Sequence, residues 1–372
     1  MKVPYFRPWI TEADKKSVVN ALGNRWLTNG PILQHFEEKI RRYVGTKRAL
    51  GVSSATHGLH LILRSLGIGP HDEVLVPTLT FASSADVVTY CGAKPILIDI
   101  DSDTFNISTN QIKKNITKKT KAIVVVHYGG QSCDMEEILL LSKKNNLKIV
   151  EDCAHALGST YNKTRCGSFG HAGCFSFYPT KIITTGEGGM ITTNDPKLYE
   201  KMKHLRSHGM TITPRDRESV AKWEYDIKEM GYNYRLDEIR SSLGLSQFFR
   251  VDKINKKRIS VAKKYNKALQ QIEGLSIPFN KEKRNHIFHL YTIKVTKNYP
   301  MSRNELFKLL HRKGIGSSIQ YTPLHLMSYL KKQFKTQNFP NANFVKDQIL
   351  SLPIYPTMTD KEINFVIKNL DR

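Results

Sequence analysis

The first two thirds of the chain alternate between two periodicities. ATHGLHLILRS (Ala55–Ser65) and DMEEILLLSKKNN (Asp134–Asn146) repeat their apolar positions every three to four residues, which predicts helices with one buried face. Between and after them lie short runs bounded by turn residues: EVLVP (73–77), PILIDID (95–101), KAIVVVHY (121–128), KIVEDCA (148–154), GCFSFY (173–178) and GGMITTN (188–194). Their β-branched, apolar character predicts strands. Strands separated by helices predict an α/β architecture, with a largely parallel sheet covered on both faces. In such sheets ligands bind beyond the carboxyl ends of the strands. Asp152, His127 and the stretch before Lys181 all fall at or just after those ends.

The pattern changes beyond about Gly244. A basic amphipathic stretch, from about Val251 to Ile272, predicts a long helix. It is followed by a strand-like FHLYTIKV, a helix-like SRNELFKLLHRKG, a strand-like IGSSIQY and a last helix from Asp360 to about Leu370. This reads as a smaller α+β domain over residues 245–372, after a large α/β domain with an N-terminal segment over 1–244. A length of 372 residues suits two such units. Neither an internal repeat nor a low-complexity linker interrupts them.

Composition narrows the function classes. The charge of +24, from 57 Lys and Arg against 33 Asp and Glu, admits an anionic partner such as a phosphorylated substrate, nucleic acid or a membrane. The basic residues are dispersed in segments such as IKKNITKKTK and DKINKKRISVAKKYNK, with no nucleic-acid-binding motif, so a solvated surface that steers a phosphate-bearing substrate is the favoured reading. Five scattered cysteines make no CxxC pair, which disfavours a disulfide framework or a structural zinc site, and no metal ligand set is expected. No apolar run is long enough to span a bilayer, and MKVPYFRPWITEADKK lacks the apolar core of a secretory signal. A cytoplasmic protein is expected.

The chemistry concentrates in IVEDCAHALGS (149–159) and FSFYPTKIITTGEGGMITTND (175–195). Lys181 is flanked by Thr180, Ile182 and Ile183, and the nearest downstream acid, Glu187, is six residues away. An ordinary lysine is neutral at pH 7 in only roughly one molecule in 2,500. Lys181 is either an exposed loop lysine, one of 57 basic residues, or, in this apolar setting, the neutral amine that a Schiff-base lysine needs. Asp152, closing a buried strand, is either a helix N-cap or the carboxylate that keeps a pyridine nitrogen protonated. A lysine and an acid in those two roles are what pyridoxal phosphate (PLP) chemistry requires. His155 is either a structural histidine or a partner for the cofactor's ring hydroxyl. Ser53, Ser54, Ala55 and Thr56 open a predicted helix, whose free N–H groups suit a phosphate, and Ser176 offers a further hydroxyl. Phe81 is a core residue or a cover for one face of the ring.

Taken in order, WLTNGP with FEEKI, VSSATHGLHL, DEVLVPTLTFASSA, HYGGQSCDM, VEDCAHALGS, FSFYPTKIITTGEGGMI, LRSHG, GYNYRLDEIRSSLG and YTPLH span essentially the whole chain. The chain resembles the PLP-dependent sugar aminotransferases of the DegT/StrS type, within the aspartate aminotransferase fold class (PLP fold type I). The resemblance implies that Lys181 is the Schiff-base lysine and proton shuttle, Asp152 the pyridine-nitrogen partner and His155 the ring-hydroxyl contact. Ala55, Thr56 and Ser176 match phosphate contacts, Phe81 the aromatic that packs on the ring, and Asn233 an asparagine reaching the phosphate of the neighbouring subunit. A homodimer with shared active sites follows. Thr28, Tyr321 and His325 are the candidates for substrate contact. EDCAHALGS and the Ala-Thr pair of SSATHG look most like enzymes that aminate carbon 4 of UDP-linked keto sugars, with glutamate as donor. Cys153 and Tyr178 depart from the residues common at their positions and leave the sugar preference open. Relatives with histidine in place of the lysine are sugar dehydratases, so a PLP- or pyridoxamine-phosphate-dependent dehydratase is the alternative, and a basic nucleic-acid-binding regulator on the same fold a more distant one.

Overall fold

Seven strands form the central sheet of the computed structural model, which describes residues 1–212, 224–332, 334 and 337–371. They are β1 (Arg48–Val52), β2 (Glu73–Pro77), β3 (Lys94–Ile98), β4 (Thr120–Val126), β5 (Lys148–Asp152), β6 (Ala172–Ser176) and β7 (Gly189–Thr193). Their order in space is β1-β7-β6-β5-β4-β2-β3. Only β7 runs against the others, pairing antiparallel with both β1 and β6, so the sheet is mixed and mostly parallel. The register aligns Val126 with Asp152, Asp152 with Cys174, Ser176 with Gly189, and Gly189 with Val52. The carboxyl ends of β1, β4, β5 and β6 therefore meet the start of β7 along one edge.

Both faces of the sheet are buried, which accounts for strands that are apolar throughout. Val74, Val76, Val124 and Val150 pack into one core with Leu59 and Ile62 of the helix Ala55–Ser65. Leu75, Ile123, Val125 and Ile149 point the other way and pack with Ile138 of the helix Met135–Asn145. The first helix lies close because Gly58 has no side chain: a Cβ there would come within 2.4 Å of Cys174 Sγ. All five cysteines are buried and unpaired.

The run 95–101 leaves the sheet earlier than its apolar pattern suggests. Beyond Ile98, Asp99 turns away and accepts hydrogen bonds from the amides of Asn341 and Ala342 at 2.9 Å, at the start of the helix Pro340–Val345. In the C-terminal half, Leu275–Ser276, Tyr291–Val295 and Ile349–Leu352 form a separate antiparallel sheet. Residues from the helices Val251–Leu269, Arg303–Arg312 and Asp360–Lys368 share its core. Val3, near the start of the chain, is buried in that same core and bridges to Ile315. IGSSIQY is not a strand: it makes single bridges at Ile315 and Ser318 and then leads Gln320 and Tyr321 to the carboxyl edge of the large sheet. No helix among the described residues is long and apolar enough to cross a membrane.

Candidate functional site

The strand ends surround a cavity of about 450 Å³, lined by residues that include Ala55, Thr56, Phe81, Asp152, His155, Ser176, Lys181 and Tyr321. Eight residues expected from the sequence thus converge on one space. A larger open groove of about 770 Å³ lies elsewhere, lined by Lys118, Lys121 and Lys148 among others, and holds none of them.

One wall is the start of the helix Ala55–Ser65. Ser54 is its N-cap and accepts from the His57 amide at 3.1 Å. Ala55 and Thr56, whose amides precede any intrahelical acceptor, line the cavity at the end of the helix where its dipole is positive. Gly189 passes directly beneath: a Cβ there would lie 2.8 Å from the Ala55 nitrogen. Ser176, the last residue of β6, lines the same cavity.

Asp152 ends β5 and is buried. Its carboxylate accepts from Ser84 Oγ at 2.8 Å and from the Ala154 amide at 3.1 Å, and Ser84 Oγ in turn lies 3.0 Å from Thr80 Oγ1. Burial pushes this carboxyl up from its ordinary value, against the pull of those donors and of Lys181 and His127. It is not a helix cap, since no helix follows it. Ser84 and Thr80, which orient it, went unrecognised in the sequence because 68 residues separate Ser84 from Asp152.

Lys181 sits in a turn closed by its own amide donating to the Tyr178 carbonyl at 2.9 Å. The rest of the loop is tied down by Thr185 N and Thr184 Oγ1, both bonded to the Phe177 carbonyl at 2.9 Å. Removal from water lowers the Lys181 amine from 10.5 to about 8, opposed by the charge of Asp152. At pH 7 roughly one amine in ten is then neutral.

His155 is buried and accepts at Nδ1 from the Gly129 amide, 3.3 Å away. Burial and then Lys181 hold its pKa well below the ordinary histidine value. A neutral imidazole that accepts at Nδ1 carries its proton on Nε2, which lies 3.1 Å from the Tyr321 hydroxyl. Phe81, 60 % exposed, stands at the cavity with its ring 6.0 Å from that of Tyr321. Tyr178, Thr180, Glu187 and Gln320 also line the space.

Three expected contacts lie outside this cavity in the single chain. Thr28 and Asn233 are exposed and bridge to Asp237 and Ser207. His325 is buried, bonded through Nδ1 to Thr78 Oγ1 at 2.8 Å and through Nε2 to Asn343 Oδ1 at 3.2 Å, and stacked on Phe339.

Beside the site, His127, Glu151 and Cys153 lie close enough to share a cation. Glu151 is already saturated: it accepts from Gly167 N at 2.7 Å, Phe169 N at 2.8 Å, Gly170 N at 2.8 Å and His127 Nε2 at 3.0 Å. His127 Nδ1 accepts from the Cys133 amide at 3.1 Å. The cluster is a hydrogen-bonded brace between β4, β5 and the loop before β6.

Residues 8–371 match the model of the DegT/DnrJ/EryC1/StrS aminotransferase family. The chain belongs to that family. It is 40 % identical over 371 residues to the spore coat polysaccharide biosynthesis protein SpsC of Bacillus subtilis, covering 98 % of this chain and 95 % of that protein. Among solved structures, PseC of Helicobacter pylori, an aminotransferase involved in the biosynthesis of pseudoaminic acid, superposes with a TM-score of 0.92 at 31 % identity, covering 100 % of this chain and 98 % of that one. Spr1654 of Streptococcus pneumoniae, solved in both PLP and PMP forms, gives a TM-score of 0.93 for the PMP form at 31 % identity over 99 % of this chain and 98 % of that one. This family member is a PLP-dependent aminotransferase with the fold of the sugar aminotransferases. Its cavity fits the cofactor chemically: a helix start, whose first amides have no intrahelical acceptor, suits a phosphate, a buried carboxylate suits a protonated ring nitrogen, and a lysine of lowered basicity suits an aldehyde.

Proposed function

We propose that this aminotransferase moves the amino group of glutamate to carbon 4 of a UDP-linked keto-deoxy sugar, as a cytoplasmic homodimer with shared active sites. The observation that supports its transamination chemistry is the placement of Lys181 and Asp152 on one cavity, with the amine's pKa lowered to about 8 and the carboxylate buried. When bound, PLP supplies an aldehyde for amines and a ring that takes up the electron pair left on a deprotonated carbon. Asp152 would hold the ring nitrogen protonated, oriented by Ser84 and the Ala154 amide. The amides of Ala55 and Thr56 and the hydroxyl of Ser176 would hold the phosphate, joined by Asn233 of the second subunit. His155 would meet the ring hydroxyl and Phe81 would cover the ring. Lys181 Nζ carries a proton off the α-carbon of the amino donor in one half of the cycle and delivers one to the sugar carbon in the other. Tyr321 and Thr28 are the proposed sugar contacts, while His325, buried and committed to Thr78 and Asn343, is left with a structural role; the basic surface favours arrival of the diphosphate.

SpsC and PseC support a sugar acceptor, because polysaccharide and pseudoaminic acid biosynthesis are what their names record. The test is incubation with ¹⁵N-glutamate and a panel of UDP-, GDP- and dTDP-4-keto sugars, followed by mass spectrometry. Label in the UDP-sugar product at carbon 4 is expected. Loss of a hydroxyl without nitrogen transfer would instead indicate a dehydratase.

A further inference from the structure

The cavity histidine is supported from behind by a segment of the C-terminal half. Residues 286–290, HIFHL, precede the strand Tyr291–Val295. Ile287 N donates to the Gly130 carbonyl at 3.2 Å and Leu290 N to the Gly129 carbonyl at 3.1 Å. These bonds hold the turn whose Gly129 amide donates to His155 Nδ1. The ring of His289 lies 4.4 Å from that of His155 with an interplanar angle of 33°. Two neutral rings attract at that separation when offset.

His289 is itself clamped. It is 3 % exposed, and its carbonyl accepts from Arg258 Nη2 at 2.8 Å. Arg258 is 4 % exposed and donates through Nη1 to the Ile354 carbonyl at 3.0 Å. One buried guanidinium therefore joins the helix Val251–Leu269, the HIFHL segment and the chain after Ile349–Leu352. Burial, with His155, Lys181 and Arg258 nearby, keeps the His289 imidazole neutral, so no charge repulsion separates the two rings. His289 Nδ1 has no hydrogen-bond partner, and the side chain meets His155 through the tilted ring-to-ring contact.

We propose that His289 is a positioning residue: held by Arg258, its ring backs the His155 imidazole and fixes the edge that His155 presents to Tyr321 and the cavity. The C-terminal half thereby sets the geometry of a group on the large sheet. This inference rests on the assignment of His155 to the cofactor site, and its test is arranged so that the two can fail separately.

The test compares His289→Phe, which keeps a flat ring, with His289→Leu, which keeps apolar volume without one. Arg258→Lys, which keeps the charge but not the two-carbonyl grip, is an independent arm. In cofactor-free protein, imidazole ¹⁵N–¹H spectra, with the His155 signal assigned by its loss in His155→Gln, should show one Nε2–H tautomer in wild type and in His289→Phe. The signal should shift or broaden in His289→Leu and in Arg258→Lys. After reconstitution with PLP, His289→Leu should displace the visible band and lower kcat on the order of tenfold with donor KM unchanged, while His289→Phe stays within about twofold of wild type. A wild-type His155 signal in both His289→Leu and Arg258→Lys would overturn the proposal, as would equal loss in the Phe and Leu variants. Failure of wild type to take up PLP would sink the cofactor reading alone, because the spectra of cofactor-free protein still decide the role of His289.

Discussion

Replacing Lys181 with methionine should make the cofactor-free protein more stable at neutral pH, although it removes the group on which the chemistry depends. The amine is held out of bulk water by the cavity wall, which lowers it from 10.5 to about 8. At about 1.4 kcal/mol per tenfold change, that distance corresponds to about 3 kcal/mol of destabilisation carried by the charged form. Methionine fills similar volume without charge, and relaxation or water entry reduces the gain, so about 1–3 kcal/mol is expected. The pH dependence identifies the cause. Below about pH 8 both the folded and unfolded chains hold the proton and the full penalty is present. Between about 8 and 10.5 the unfolded chain binds a proton that the folded one does not, so wild-type stability at this position rises with pH. The advantage of the methionine variant should therefore be largest below pH 8 and shrink toward pH 10. Urea unfolding of both cofactor-free proteins at pH 7, 8.5 and 10 measures it. Identical midpoints at pH 7, or a difference that does not change with pH, would refute the reasoning.

Four further outcomes are expected. Lys181→Ala should abolish the visible absorbance of the reconstituted protein and lower turnover on the order of a thousandfold, by spectrophotometry and product assay. Asp152→Asn keeps an acceptor for Ser84 or the Ala154 amide but loses the charge, and should fold normally while slowing turnover on the order of a hundredfold. Ser176→Ala should raise the dissociation constant for PLP on the order of tenfold in equilibrium dialysis, with no change in the spectrum of the saturated protein. Glu151→Ala, outside the cavity, should cost about 3–5 kcal/mol in chemical denaturation, because three amides and His127 Nε2 lose a buried acceptor.

What the chain discloses directly is local. The helix Ala55–Ser65 and the strand Glu73–Pro77 coincide with their apolar patterns to the residue, because capping at Ser54 and proline at 77 mark their ends. Lys181, Asp152 and Ser176 could be placed at one edge because strand ends in a largely parallel sheet collect there. The edge strand Arg48–Val52 was less legible, since RALGV is short, opens with a charge and contains glycine. IGSSIQY has the composition of a strand, but its pairing is limited to single bridges, and Tyr128 OH and Tyr5 OH instead bind Gln320 and hold the segment over the site. Ser84, His289 and Arg258 carry no motif of their own. Their roles come from contacts across 68, 134 and 31 residues, respectively to Asp152, His155 and the His289 carbonyl, which only the fold creates.

The measurement closest to the central claim is reductive trapping. Protein reconstituted with PLP, treated with borohydride and digested, should yield a single phosphopyridoxyl-bearing peptide with the modification on Lys181. The yield should fall sharply in Asp152→Asn protein at equal cofactor concentration. Modification of another lysine, or none in protein that is folded and saturated with PLP, would contradict the account.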